Sequence, residues 1–137
     1  MWSFTPGKQT IPARYNTQNQ EMPDGGMNTL QTIDNPKISK LTKEVHEVQI
    51  PSLCPKTGNP ITGSTLTITY APVEKLLEVY SLNEYVASFI GSKEVRDLEL
   101  LTQVVARDCH EVLGVKVSVI GKYVLNIGQT VVCECEG

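Results

Sequence analysis

A cysteine at position 54 is the residue best placed to do chemistry. From residue 52 to residue 60 the chain reads Ser-Leu-Cys-Pro-Lys-Thr-Gly-Asn-Pro, a turn too rich in Pro and Gly for a helix or strand to continue. A thiol held in such a turn is open to a ligand, and cysteine reactivity follows exposure and thiolate character. The sequence predicts that Cys54 is a nucleophile, and an inert turn cysteine is the alternative.

The other metal-ligand types in the chain are arranged poorly for a zinc site. Cys109 and His110 are adjacent on a predicted helix, so they point to different faces. Cys133 and Cys135 are two residues apart on one face of a predicted strand. Structural zinc usually takes cysteines spaced C-x₂₋₄-C. We therefore expect no metal cofactor, and we expect His46 to be a surface residue of a strand.

Composition limits the partners of the protein. The 137 residues suit one domain. Twelve Lys and Arg oppose 15 Asp and Glu without a basic stripe, which makes a nucleic-acid partner less expected. No apolar run reaches the ~20 residues of a membrane span, the start lacks the pattern of a signal peptide, and four cysteines make no disulfide framework. These features predict a soluble cytoplasmic protein whose cysteines are reduced.

Two regions differ in pattern. Residues 1–43 are polar and lack apolar periodicity, which predicts an arm that is either loosely ordered or ordered against a neighbouring subunit. Residues 44–137 carry regular patterns and form the predicted domain. Two strands are expected at its start, at 45–50 and 64–70, and in the second of them apolar residues alternate with threonines.

Helices and further strands follow. Ser81 and Glu84 have the spacing of a capping box, which predicts a short helix from Ser81, and three- and four-residue apolar steps predict a longer helix over about 92–113. The chain closes with two β-branched runs, at 115–120 and 129–135. The order β-β-α-α-β-β predicts an α+β domain with two helices on one face of an antiparallel sheet, and its open edges predict a homo-oligomer.

The segment from about Val45 to Cys135 resembles the QueF family, the 7-cyano-7-deazaguanine reductases of queuosine biosynthesis. Residues 51–60 are similar to the family's Ser-Leu-Cys-Pro-x-Thr-Gly-Gln-Pro, and a threonine-rich strand ending in Tyr70 follows. The resemblance implies a T-fold whose oligomer holds active sites between subunits. It also implies that Cys54 adds to the nitrile carbon of 7-cyano-7-deazaguanine, giving a thioimide that NADPH reduces; a thiolate suits that addition better than a hydroxyl does.

The sequence departs from the family at two groups of residues. The family's general-acid aspartate, seven residues after the cysteine, is replaced by Ile61, which cannot donate a proton. Two lysines of the family's cofactor motif are replaced by Tyr80 and Asn83. Lysine ammonium groups bind phosphate, whereas Tyr80 and Asn83 carry no charge. These two candidate cofactor-binding positions therefore argue against NADPH as the cofactor.

The substrate anchor has two candidates. In the family, a glutamate near the start of the second helix accepts two N–H donors from the purine-like ring. Counting from Glu78 puts that residue at Asp97, whereas aligning the helix from its far end puts it at Glu99, which is favoured because the family uses glutamate. Acids in a first helical turn are also stabilised by the helix dipole alone, and Glu78 is either a substrate ligand or a solvated residue.

Three functions stay open. The family default is NADPH-dependent reduction of the nitrile to 7-aminomethyl-7-deazaguanine. The amidine-forming QueF-like branch uses the same thioimide but takes ammonia and no nicotinamide. A binding module would keep the deazapurine pocket without turnover.

Overall fold

The computed structural model describes residues 29–137, so most of the predicted arm at residues 1–43 lies outside the described residues. The described strands are β1 Thr32–Asp34, β2 Glu44–Gln49, β3 Thr65–Tyr70, β4 Lys75–Leu77, β5 Val117–Leu125 and β6 Gln129–Glu136. The described helices are α1 Val79–Ala87 and α2 Leu98–Leu113. Strand β1 lies within the predicted arm and pairs with β4, so chain before residue 44 takes part in the fold.

The main sheet has four antiparallel strands in the order β2-β3-β5-β6. A second sheet joins β1 to β4, also antiparallel. Helix α2 packs against β5 and β6. The predicted α+β class is confirmed, and the arrangement is compatible with a T-fold.

Alternation along β3 sets which face of the sheet is covered. Leu66 and Ile68 are completely buried and Tyr70 almost so, whereas the threonines between them are partly exposed. Side chains of α1 and α2 join the same core, where Tyr85 meets Phe89 edge to face with ring centroids 5.1 Å apart. This core fixes the C-terminal end of α1. It thereby also fixes the segment after the helix, which borders the Cys54 turn.

Both helices begin at residues other than those predicted. The capping box from Ser81 is wrong: α1 begins at Val79, and the Glu78 carboxylate accepts the N–H groups of Tyr80 at 3.0 Å and Ser81 at 2.7 Å. Helix α2 begins six residues later than expected, because Asp97 caps it by accepting the N–H of Leu100 at 2.6 Å. In each case a carboxylate satisfies amides that lack intrahelical partners.

A glycine within β5 makes room for a buried aromatic ring. Gly121 follows the predicted strand at 115–120, but the strand continues through it, and Gly121 is buried beside Tyr123. A Cβ at position 121 would meet the Tyr123 hydroxyl and lie 2.6 Å from its Cε2. That ring has no free space to move into, because Tyr123 is fully buried and its hydroxyl bonds to Thr102 Oγ1 at 2.6 Å.

We predict that Gly121→Ala lowers the free energy of unfolding by about 1–3 kcal/mol, the usual cost of overpacking a core. Urea denaturation of the variant and wild type measures it. The same substitution in a Tyr123→Leu background should cost less, because the overlapping ring atoms are gone. Equal costs in the two backgrounds would contradict the steric explanation.

Candidate active site

Backbone hydrogen bonds close the turn that carries Cys54. The amides of Leu53 and Cys54 both donate to the carbonyl of Asn59, at 3.1 and 3.0 Å, and the amide of Gly58 donates to the carbonyl of Cys54 at 2.8 Å. Gly58 has a φ of 77°, in the left-handed region that glycine adopts without strain. The turn residues therefore hold one another, and Cys54 lies partly exposed at their centre.

The surroundings of Cys54 favour the thiolate. The Thr57 hydroxyl, followed by the backbone amides of Thr57 and Lys56, lowers the pKa of the Cys54 thiol below its usual value, and the Lys56 charge acts in the same direction. Hydrogen bonds to the charged form and a nearby positive charge both stabilise an anion. Burial, in contrast, raises the pKa of Cys109 far above the usual thiol range. At neutral pH, Cys54 is thus the better nucleophile of the two.

Cys54 lines a cleft of about 620 Å³, within the ~300–1,000 Å³ range of typical ligand sites. Its apolar wall joins the turn to the end of α1 and the start of α2, through Leu53, Phe89, Val95, Leu98 and Leu101. Its polar side chains are Cys54, Lys56, Thr57, Asn59, Ser92, Arg96 and Asp97. An apolar wall with a few polar groups suits a flat, largely apolar ring that carries hydrogen-bonding edges.

The structure brings Asp97 together with Cys54 in this cleft. Among the described residues, the Leu100 amide is the one hydrogen-bond partner of the Asp97 carboxylate, and it engages Oδ1. Oδ1 keeps a second lone pair and Oδ2 keeps both, so the two oxygens can still accept donors from a ligand. Glu99 is exposed in the first turn of α2 and, within residues 29–137, is not part of the cleft lining.

The remaining predicted site residues lie elsewhere in the described chain. The Glu78 carboxylate caps α1, and hydrogen bonds to amides lower its pKa. Tyr80, 77% exposed, and the exposed Asn83 belong to α1 and, in the part of the chain that the structure describes, do not border the cleft. Ile61 is 37% exposed, and its backbone amide donates to Val124 O at 2.8 Å.

Sequence reasoning missed Asn126, which lies in the turn between β5 and β6. Its side-chain Nδ2 donates to the carbonyl of Thr57 at 2.8 Å, and its backbone amide donates to Asn59 Oδ1, also at 2.8 Å. Asn59 Nδ2 in turn donates to Asn126 Oδ1 at 3.1 Å. These contacts span 67 to 69 positions of sequence, and an asparagine in a hairpin turn carries no signal of them because turns favour asparagine anyway.

Two further features bear on cofactors and location. Within residues 29–137, no three His, Cys, Asp or Glu side chains come together as metal ligands. None of the described helices has the length and apolar character needed to span a bilayer.

Comparison with protein-family models finds no match. Among curated proteins, the chain is similar to an NADPH-dependent 7-cyano-7-deazaguanine reductase from Rhodopirellula baltica. The two are 39% identical over 62 residues, which cover 44% of this chain and 50% of the reductase. The chain therefore spans about half the length of the curated relative, and over that part it is similar to a QueF reductase.

Proposed function

We propose that the protein is an enzyme that forms a covalent thioimide between Cys54 and the nitrile of 7-cyano-7-deazaguanine. The observation that carries this proposal is the cleft, where a thiol with a lowered pKa lies with the carboxylate of Asp97. A nucleophile and a hydrogen-bonding anchor are the two elements that the reaction requires. The similarity to a reductase with this substrate in its name supports the choice of nitrile.

Asp97 is the proposed anchor of the base. A guanine-type ring presents two parallel N–H donors on one edge, and a carboxylate accepts both. The apolar wall around Phe89 and Leu101, both 2% exposed, would contact the ring faces. Stacking and bidentate hydrogen bonding together would fix the nitrile relative to the sulfur.

Addition of the thiolate to the nitrile consumes one proton. The Cys54 thiolate forms a bond to the nitrile carbon, one C≡N π bond breaks, and its electron pair goes to nitrogen, which takes a proton and leaves a thioimide. In place of the absent acid at Ile61, the Thr57 hydroxyl or a water molecule would supply that proton. No oxidant or reductant enters this step.

The fate of the thioimide has two candidates. Reduction by NADPH is suggested by the name of the relative. The residues at the two lysine positions do not fit that cofactor, because Tyr80 and Asn83 are uncharged and give a phosphate no ammonium partner. That observation favours the second candidate, in which ammonia attacks the thioimide carbon and expels the Cys54 thiolate, giving an amidine.

Intact-mass spectrometry tests the first step. Wild-type protein mixed with 7-cyano-7-deazaguanine should gain the mass of the base, since addition releases nothing. Peptide mapping should place the gain on the peptide containing Cys54. A protein that shows no gain under conditions where the ligand is present in excess would refute the thioimide proposal.

The second step is tested on the adduct itself. Release of the amidine on addition of ammonia, with no NADPH consumed, would support the amidine-forming branch. Oxidation of NADPH with release of the aminomethyl base would support the reductase. An adduct that persists in both cases would leave a binding module that captures the base without turnover.

A further inference from the structure

The Cys54 turn is held from outside as well as from within. Asn126 contributes three hydrogen bonds to it, one to Thr57 and two to Asn59. The neighbouring residues of β5 add a fourth link, since the amide of Ile61 donates to Val124 O at 2.8 Å. One end of the β5–β6 hairpin is thereby attached to the loop that presents the thiol.

We propose that Asn126 is a positioning residue for Cys54, holding residues 57–59 so that the amide and hydroxyl donors of the turn stay directed at the sulfur. The role rests on the proposed function, since it matters to catalysis only if Cys54 is the nucleophile. The bond that carries the inference is the one from Asn126 Nδ2 to Thr57 O. It fixes the residue whose hydroxyl and amide are the largest contributors to the lowered pKa of Cys54.

Asparagine suits this position because it donates and accepts at once. Its Oδ1 accepts from the Asn59 side chain while its Nδ2 donates to a carbonyl and its backbone amide donates to Asn59 Oδ1. Aspartate has the same shape but lacks the Nδ2 donor, so its oxygen would face the Thr57 carbonyl without a proton between them. Alanine would remove both side-chain bonds and add no charge.

The Cys54 thiolate should be less stabilised when the Asn126 hydrogen bonds are removed. Without Asn126 the residues 57–59 gain freedom, and donors that are no longer fixed stabilise an anion less. The thiol would then titrate at higher pH, with less thiolate present at neutral pH. The part of the cleft lining between Phe89 and Leu101 makes none of the Asn126 hydrogen bonds and should keep its shape.

The test measures alkylation of Cys54 by iodoacetamide across a range of pH, followed by peptide mass spectrometry, in wild type, Asn126→Ala and Asn126→Asp. Both variants should move the alkylation midpoint to higher pH. One pKa unit corresponds to about tenfold less thiolate below the midpoint, so we expect alkylation near neutral pH to slow by about tenfold, and more in Asn126→Asp. Asn126→Ala keeps the test valid if the aspartate variant does not fold.

Gln129→Glu is the matched control, because Gln129 is exposed in the same hairpin and its change adds the same charge. It should keep the wild-type alkylation profile. An unchanged midpoint in both Asn126 variants would overturn the proposal. So would a shift in Gln129→Glu equal to that in Asn126→Asp with none in Asn126→Ala, which would indicate a general charge effect.

The alkylation assay needs no nitrile, so it separates this inference from the proposed function. If wild type forms no adduct with 7-cyano-7-deazaguanine but the Asn126 variants shift the thiol midpoint, the function fails and the positioning of Cys54 stands. If the adduct forms equally fast in wild type and in Asn126→Ala, with equal affinity for the base, the positioning role fails and the function stands.

Discussion

Replacing Cys54 with alanine should abolish the covalent adduct with 7-cyano-7-deazaguanine. The alanine variant keeps the backbone bonds that close the turn, all of which use main-chain atoms of Leu53, Cys54, Gly58 and Asn59. It loses the sulfur that lines the cleft. Intact-mass measurement after mixing should show the full gain in wild type and none in the variant, while the far-UV circular dichroism spectra coincide.

Two further variants define what the loss means. Cys133 is partly exposed like Cys54 but lies on β6, so Cys133→Ala should form the adduct as wild type does. Cys54→Ser should form none on the same time scale, because a hydroxyl is a far weaker nucleophile than a thiolate. An adduct of undiminished yield in Cys54→Ala would contradict the assignment.

The parts of the fold set by local pattern were predictable. The alternation around Leu66 and Ile68 has period two over six residues, and a half-buried strand is the structure that buries one such face. The apolar steps of α2 similarly have the period of a helix that covers a sheet. Periodicity predicted the class because burial of these faces dominates the energy of the domain.

Pairings that depend on a few polar atoms were not predictable. Strands β1 and β4 have three residues each, too short for a recognisable period. One contact that holds β4 is made by the Tyr70 hydroxyl, which accepts a hydrogen bond from the Leu77 amide at 2.9 Å. The same hydroxyl donates to Glu44 Oε2 at 3.2 Å. The period of β3 predicts that Tyr70 is buried, but it contains no information on which distant groups meet its hydroxyl.

In the candidate site, too, local sequence pattern predicts one part and contacts between distant residues determine the other. Cys54 could be proposed from its own turn, because Pro and Gly mark the turn and a thiol is a chemically reactive group. Asn126 could not be, since its contacts with that turn are made by a hairpin that lies about half the chain away in sequence. The choice between Asp97 and Glu99 could not be made from spacing, because the two are two positions apart and each position of offset on a helix turns a side chain by about 100°.

The cleft makes Asp97 the proposed anchor, and its removal should weaken binding of the base. Asp97→Asn is the informative change, because asparagine caps a helix as well as aspartate does and can still accept the Leu100 amide. The fold should therefore be kept while one acceptor and the charge are lost. Since a hydrogen bond to a charged group contributes about 1.5–3 kcal/mol, we expect the Kd of the base to rise about 10- to 100-fold.

The Kd is best measured by calorimetry in a Cys54→Ala background, where no covalent step follows binding. Glu99→Gln serves as the matched control, since it neutralises an acid two residues away in the first turn of the same helix. It should leave the Kd unchanged and lower stability by about 0.3–1 kcal/mol, through loss of a favourable charge at the helix N-terminus. If Glu99→Gln weakens binding and Asp97→Asn does not, the anchor is Glu99, and the base then binds outside the cleft that Cys54 and Asp97 share.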